Sequence, residues 1–190
     1  MSLTPNASPY VVTIEQVGAN VVMTGSGEFD LTGLTAIGGG PSAVGPGINP
    51  SNGWNPSGSL VYLGTAGEIA EYSGTVTYST NSIGSSGNTF ANDASGPLVE
   101  LRTGNFALFL PVGGSYFLPN ILVLLPSSTD IFYNTTIAGL GITPGTYTWT
   151  WGDWRGSKLY HSDPNGDALD KYARRQLVPH SKLEPQSPHS

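Results

Sequence analysis

From Tyr10 to Trp151, apolar and polar residues alternate with a period of two in short runs broken by Gly, Asn, Ser and Pro, and no stretch before residue 160 sustains a helical period. The pattern predicts an all-β body. Strands are expected at Tyr10–Val17, Asn20–Thr24, Glu28–Thr32, Leu60–Leu63, Ile69–Ser79, Leu98–Arg102, Phe106–Leu110, Ile121–Leu125, Ile131–Ala138 and Thr146–Trp151. Gly18-Ala19-Asn20 suits a hairpin between the first two. In Glu28–Thr32, Phe29 and Leu31 share one face and Glu28, Asp30 and Thr32 the other; in Thr146–Trp151, Tyr147, Trp149 and Trp151 oppose three threonines.

Gly38–Ser59 carries prolines 41, 46, 50 and 56 and cannot be a central strand, because proline has no N–H for the ladder, so an ordered surface loop is expected there. Asn81–Ser95, rich in Gly, Ser and Asn, is expected to be a loop tip. Asp163-Pro164 provides a helix start for Asp167–Leu177, with Leu169, Tyr172, Ala173 and Gln176/Leu177 as a thin stripe. Val178–Ser190 has little to bury and is expected to be disordered. Fold class is therefore all-β, an antiparallel β-sandwich, jelly-roll-like, with a short helical stretch in the tail. The divisions fall at 1–9 (an extension), 10–154 (the sandwich) and 155–190 (a basic, mostly disordered or appended tail).

Charge changes this picture at one point. Residues 1–154 hold one basic side chain, Arg102, against nine acidic ones, a net of −8, while residues 155–190 hold six Lys/Arg, four Asp/Glu and all three histidines. Trp149, Trp151, Trp154, Arg155, Lys158 and His161 straddle that seam. Only 11% of the residues are charged, less than half the usual share, so solubility rests on Ser, Thr, Asn and exposed backbone. An acidic body lacks the clustered cations that binding to nucleic acid requires. Zero cysteines exclude disulfides, thiolate nucleophiles and Cys-ligated zinc. The longest apolar run, Ile121–Leu125, is far shorter than the ~20 residues of a membrane-spanning helix. A charged n-region followed by an apolar h-region does not open the sequence, so any export signal is expected to lie outside it.

Two long phrases, Tyr10 to Gly27 continued at Asp30–Thr35, and Ala138 to Gly152, together with Gly40–Ile48, resemble the mature region of bacterial secreted PEP-CTERM-type proteins. The resemblance covers most of residues 10–152 and implies a β-rich exported body, sorting by an exosortase and a place in the envelope or extracellular matrix. It brings no catalytic residues. The chain departs from the pattern at Asp153-Trp154-Arg155-Gly156-Ser157-Lys158, where members continue with another strand, and neither the signal peptide nor the Pro-Glu-Pro sorting segment is present. A frameshifted reading, added sequence and a genuine appendage remain open for the tail.

Candidate chemistry is sparse. The body has no histidine, and His161, His180 and His189 lie in the tail, so a Ser–His arrangement lacks rigid support. Glu28 and Asp30 fall on one strand face about 6–7 Å apart, within the range of glycosidase carboxylates, whereas Glu68 and Glu71 have opposite parity. Charges normally lie outside, and decoration of a solvent face is the simpler reading of both pairs. Asp163–Asp170 spaces oxygen ligands like a calcium loop, but Gly166 is misplaced and Arg174 occupies the position of the bidentate Glu. Asn134-Thr135-Thr136 matches a glycosylation sequon but lies in an expected strand. The expectation is no catalytic residue, no metal and no cofactor.

The expected function is that of a non-enzymatic extracellular or cell-surface structural or adhesive protein of the bacterial envelope or matrix, associating with itself or with other matrix components. The alternative is a carbohydrate-binding module in which Trp54 stacks on a sugar beside Asn52 and Asn55, with Tyr62 as its neighbour and polysaccharide as partner. A glycoside hydrolase with a carboxylate pair is third. Few charges guard the strand edges, so edge or face association is expected.

Overall fold

The computed structural model describes residues 9–42, 44–51, 58–80, 82–104, 106–112, 122–151 and 161–162, with the backbone alone for 122–126 and 161–162. Among these residues there is no helix, and fifteen strands form three sheets.

The first hairpin is where the sequence predicts it. Strand β1 (Val11–Val17) pairs antiparallel with β2 (Asn20–Asp30) through a turn at Gly18-Ala19, Gly18 taking the left-handed φ of 60°. β2 does not break at Gly25-Ser26-Gly27 as expected. It runs on, because Gly25 serves packing: a Cβ there would strike the Leu63 side chain from across the core and the Tyr10 hydroxyl from the neighbouring strand end.

Two later expectations change in the same way. The expected strands Ile121–Leu125 and Ile131–Ala138 meet in one strand, β12 (Leu122–Phe132), which passes through Pro126 with a register shift between Leu125 and Ser128; only Ile131 and Phe132 of the second belong to it, and residues 133–138 are turns and loop, Asn134 taking the left-handed φ of 52°. An irregularity is the one place in a central strand that tolerates a residue without an N–H. Conversely, Ile69–Ser79 splits into β6 (Glu68–Ser73) and β7 (Val76–Tyr78), and Thr146–Trp151 splits into β13 (Gly145–Thr146) and β14 (Trp149–Trp151). β7 and β14 pair with each other as a separate ribbon.

Both expected loops contain strands. Within Gly38–Ser59 lie most of β3 (Thr35–Pro41) and all of β4 (Gly47–Asn49); Pro41 ends the first, and Pro46 and Pro50 flank the second, so no proline interrupts either. Asn81–Ser95 supplies β8 (Thr89–Phe90) and β9 (Asp93–Ser95), each at a sheet edge. The remaining strands are β5 (Leu60–Leu63), β10 (Val99–Arg102), β11 (Ala107–Pro111) and β15 (His161–Ser162).

The sheet orders are β13-β15-β1-β2-β12-β9 and β3-β6-β11-β10-β5-β4-β8. All pairings between the described strands are antiparallel except that of β15 with β1, so two residues from beyond the charge seam join the first sheet at Thr13 and Ile14. The helix expected at Asp167–Leu177 and the disorder expected at Val178–Ser190 lie outside the described residues.

Period-two alternation explains the core. The first sheet turns Val12, Ile14, Val21, Met23, Phe29, Leu31 and Phe132 inward, and the second turns Val61, Leu63, Ala70, Tyr72, Val99, Leu101, Leu108 and Leu110 to meet them. The chain is an all-β sandwich of packed antiparallel sheets. At one end, residues 136–142 coil through Leu140 N–H to Thr136 C=O and Ile142 N–H to Ile137 C=O, which places Ile137, Leu140 and Ile142 as an apolar plug.

Gln16 ties that plug to the first hairpin. Its amide nitrogen donates to the carbonyls of Gly18, Asn20 and Thr135 at 3.0–3.1 Å, and its Oε1 accepts from Ile137 N–H at 3.2 Å. Replacing Gln16 with alanine removes these links and leaves the Ile137 amide without its acceptor, at an expected cost of about 1–3 kcal/mol, measurable by urea unfolding.

Candidate functional site

Alternation also gives the second sheet an outer face, and its register aligns an unusual row there. Glu71 lies opposite Phe109, Phe109 opposite Glu100, and Glu100 opposite Tyr62. Arg102, two residues along β10 from Glu100, falls on the same side. The Arg102 guanidinium donates to Glu100 Oε1 at 2.5 Å and lies 4.5 Å above the Phe109 ring, adding a cation–π contact to the ion pair. Ile69, Leu98, Ala107 and Phe109 make a small apolar cluster on this face.

Burial governs the electrostatics. Glu100 is only 1% exposed, and this desolvation raises its carboxyl above the ordinary range; the neighbouring Arg102 charge and hydrogen bond oppose the rise, and Glu71 adds to it. Tyr62 is pushed up to about 12, first by burial and then by the Glu100 charge. Glu71 and Glu100 are two strand spacings apart, about 10 Å between backbones, so the sheet brings together two acids that stand 29 positions apart in sequence. The Glu100 carboxylate is sealed and engaged by Arg102, however, which suits an ion pair that orders a sheet face. A hydrolytic acid must reach its substrate.

The sequence candidates are distributed differently. Tyr62, proposed as a sugar-stacking neighbour, is 3% exposed and offers no open ring face. Trp54, Asn52 and Asn55 lie outside the described residues. Glu28 and Asp30 do share a half-buried face of β2, but Asp30 Oδ1 accepts the Thr32 N–H at 2.9 Å in a local turn. Glu68, at the exposed start of β6, is separated in parity from Glu71, as expected.

Trp149 and Trp151 are buried, the latter donating its indole N–H to the Asp30 carbonyl at 2.6 Å. Tyr147 packs beside them and donates its hydroxyl to the Thr143 carbonyl at 2.5 Å. This aromatic face is core. No group of three or more His, Cys, Asp or Glu able to hold a metal occurs among the described residues, and none of their helices could cross a membrane, since they contain no helix.

Sequence reasoning missed the row for a physical reason: cross-strand register decides which acids become neighbours, and register is a property of the assembled sheet. The one local signal was the spacing of Glu100 and Arg102, two apart on a strand, with Arg102 the sole cation of residues 1–154. Compared with protein-family models, with curated proteins and with solved structures, the chain matches none.

Proposed function

We propose that the protein is a non-catalytic structural or adhesive β-sandwich of the bacterial exterior that works by associating with copies of itself. The observation that carries this reading is the edge formed by β3. It is seven residues long, uncharged and exposed along nearly its whole length, with Ile37 58% exposed. The other edges of the two large sheets, β8, β9 and β13, have two or three residues each among the described residues. Protected edges are usually short, charged or covered, and β3 is none of these.

The ladder shows what the edge offers. Ser42 N–H donates to the Gly67 carbonyl, and alternation from that pair turns the N–H and C=O of Gly39 away from β6, toward solvent. The irregularity between Ala36 and Gly38 and the missing N–H of Pro41 confine pairing to a short stretch around Gly39, so association should be weak and concentration-dependent. The sealed Glu100 supports a role without catalysis. The low charge and the PEP-CTERM-like phrases support an extracellular location.

Sedimentation velocity over a wide concentration range tests the proposal. Weight-average mass is expected to rise with concentration, and Ile37→Lys, which places a charge on the edge, is expected to lower that rise. A monomer at every concentration overturns the reading.

A further inference from the structure

A second polar constellation lies inside the sandwich. Asp130 sits on the inward face of β12, level with Met23 of β2, and is fully buried. Its Oδ1 accepts the Gly64 N–H at 2.9 Å, and its Oδ2 has no hydrogen-bond partner. Two residues earlier, Ser128 Oγ donates to the Pro97 carbonyl at 2.6 Å. The two loops so contacted, after β5 and before β10, belong to the opposite sheet. They are also joined to each other, since Thr65 donates from its N–H and its hydroxyl to the Gly96 carbonyl, each at 2.9 Å.

Gly64 and Gly96 stand at the left-handed φ values of 89° and 84°, and a Cβ on Gly64 would strike the Pro97 carbonyl. One strand therefore fastens both loops across the interface. Among the described residues, the one titratable side chain facing Asp130 from the elements packed on it is Tyr10, a buried phenol that stays neutral and lies beside the Ser128 hydroxyl. β2 contributes Met23 and β9 contributes Ala94 opposite Asp130, while Asp93 beside it on β9 is exposed and faces away; among the described residues the Gly64 amide is the one polar group hydrogen-bonded to the carboxyl.

We propose that Asp130 is an acid-dependent clasp, which holds the Gly64–Thr65 and Gly96–Pro97 loops against the first sheet while its carboxyl is protonated and loosens that end of the sandwich once it ionises. An anion with one bare oxygen in a sealed interior is costly, and admitting water by local opening relieves it. Burial moves the carboxyl up to about 7, against the weaker opposing pull of the Gly64 amide. Because the closed-state value lies above that of the opened state, clasp stability is full below the ordinary carboxylate range and declines as pH rises to about 7, then levels off. The device is independent of whether the protein self-associates.

Amide hydrogen exchange of the full chain, corrected for intrinsic rates, tests it. Protection of Gly64 and Thr65 is expected to fall by at least about tenfold between about pH 5 and about pH 7, and Asp130→Asn, which keeps the shape and the Oδ1 acceptor, is expected to abolish the dependence. The same dependence in Asp130→Asn, or none in the unaltered protein, overturns the proposal. A carboxyl carbon titration of Asp130 by NMR in the unaltered protein decides the matter even where the variant does not fold: a midpoint near 7 supports the clasp, and one near the ordinary carboxylate value refutes it.

Discussion

Replacing Trp151 with alanine is expected to destabilise the fold by about 3–5 kcal/mol, the range for deleting a large buried aromatic. Trp151 closes an aromatic stack that crosses the sandwich. Its ring lies 6.3 Å from Phe29 at an interplanar angle of 18° and 5.5 Å from Phe106, and Phe29 in turn stacks on Tyr10 at 4.4 Å. These four rings come from β2, from β14 and from the residues just before β1 and β11, so the cavity left by alanine would open between separate elements that cannot collapse together. Trp151→Phe separates the two contributions. It keeps most of the ring contact and removes the N–H donated to Asp30, so it should cost about 1–2 kcal/mol and leave the Asp30 carbonyl to find another donor. Chemical denaturation of the three proteins measures both steps. Near-equal stability of Trp151→Ala and the parent would mean that the stack is peripheral.

That stack shows how far the sequence could be read. Alternation placed Phe29 and Leu31 on one face and Tyr147, Trp149 and Trp151 on another, and the structure buries all of them to a large extent, because a side chain's side of a strand is decided locally by the pleat. Strand ends were less legible. Gly25 looked like a breaker and is a packing glycine; Pro126 looked like a boundary and sits at an irregularity inside β12. A residue that relaxes a local constraint can end a strand or let it continue, and only the neighbour across the core decides which.

The short edge strands β8 and β9 were illegible for a related reason. Segments of two or three residues have almost no pattern of their own and become strands by pairing with β4 and β12. Polar chemistry inside the protein was the least visible. Asp130 lies in an alternating stretch where Ser128 and Phe132 share its face, and nothing nearby in sequence announces that this face is the core.

Arg102→Ala is expected to destabilise the protein by about 1.5–3 kcal/mol near neutral pH and by less in acid. Removing one partner of a fully buried ion pair costs about 3–5 kcal/mol, but the Arg102 side chain is 42% exposed, so solvent already screens part of the interaction. The pH dependence follows from the partner left behind. Glu100 is raised in the folded state by burial, so its contribution is full below the ordinary carboxylate range and is lost as pH rises through the folded value. Without Arg102, which opposes that rise, the folded value moves higher still, and the stability lost between acid and neutral pH grows. Glu100→Gln removes the charge and with it the need for a cation. On that background Arg102→Ala should cost only its packing over Phe109, and the difference between the two backgrounds is the coupling energy of the pair. If Arg102→Ala costs the same at acid and neutral pH, or the same with and without Glu100, the guanidinium acts as a lid over the apolar cluster and not as a counter-charge.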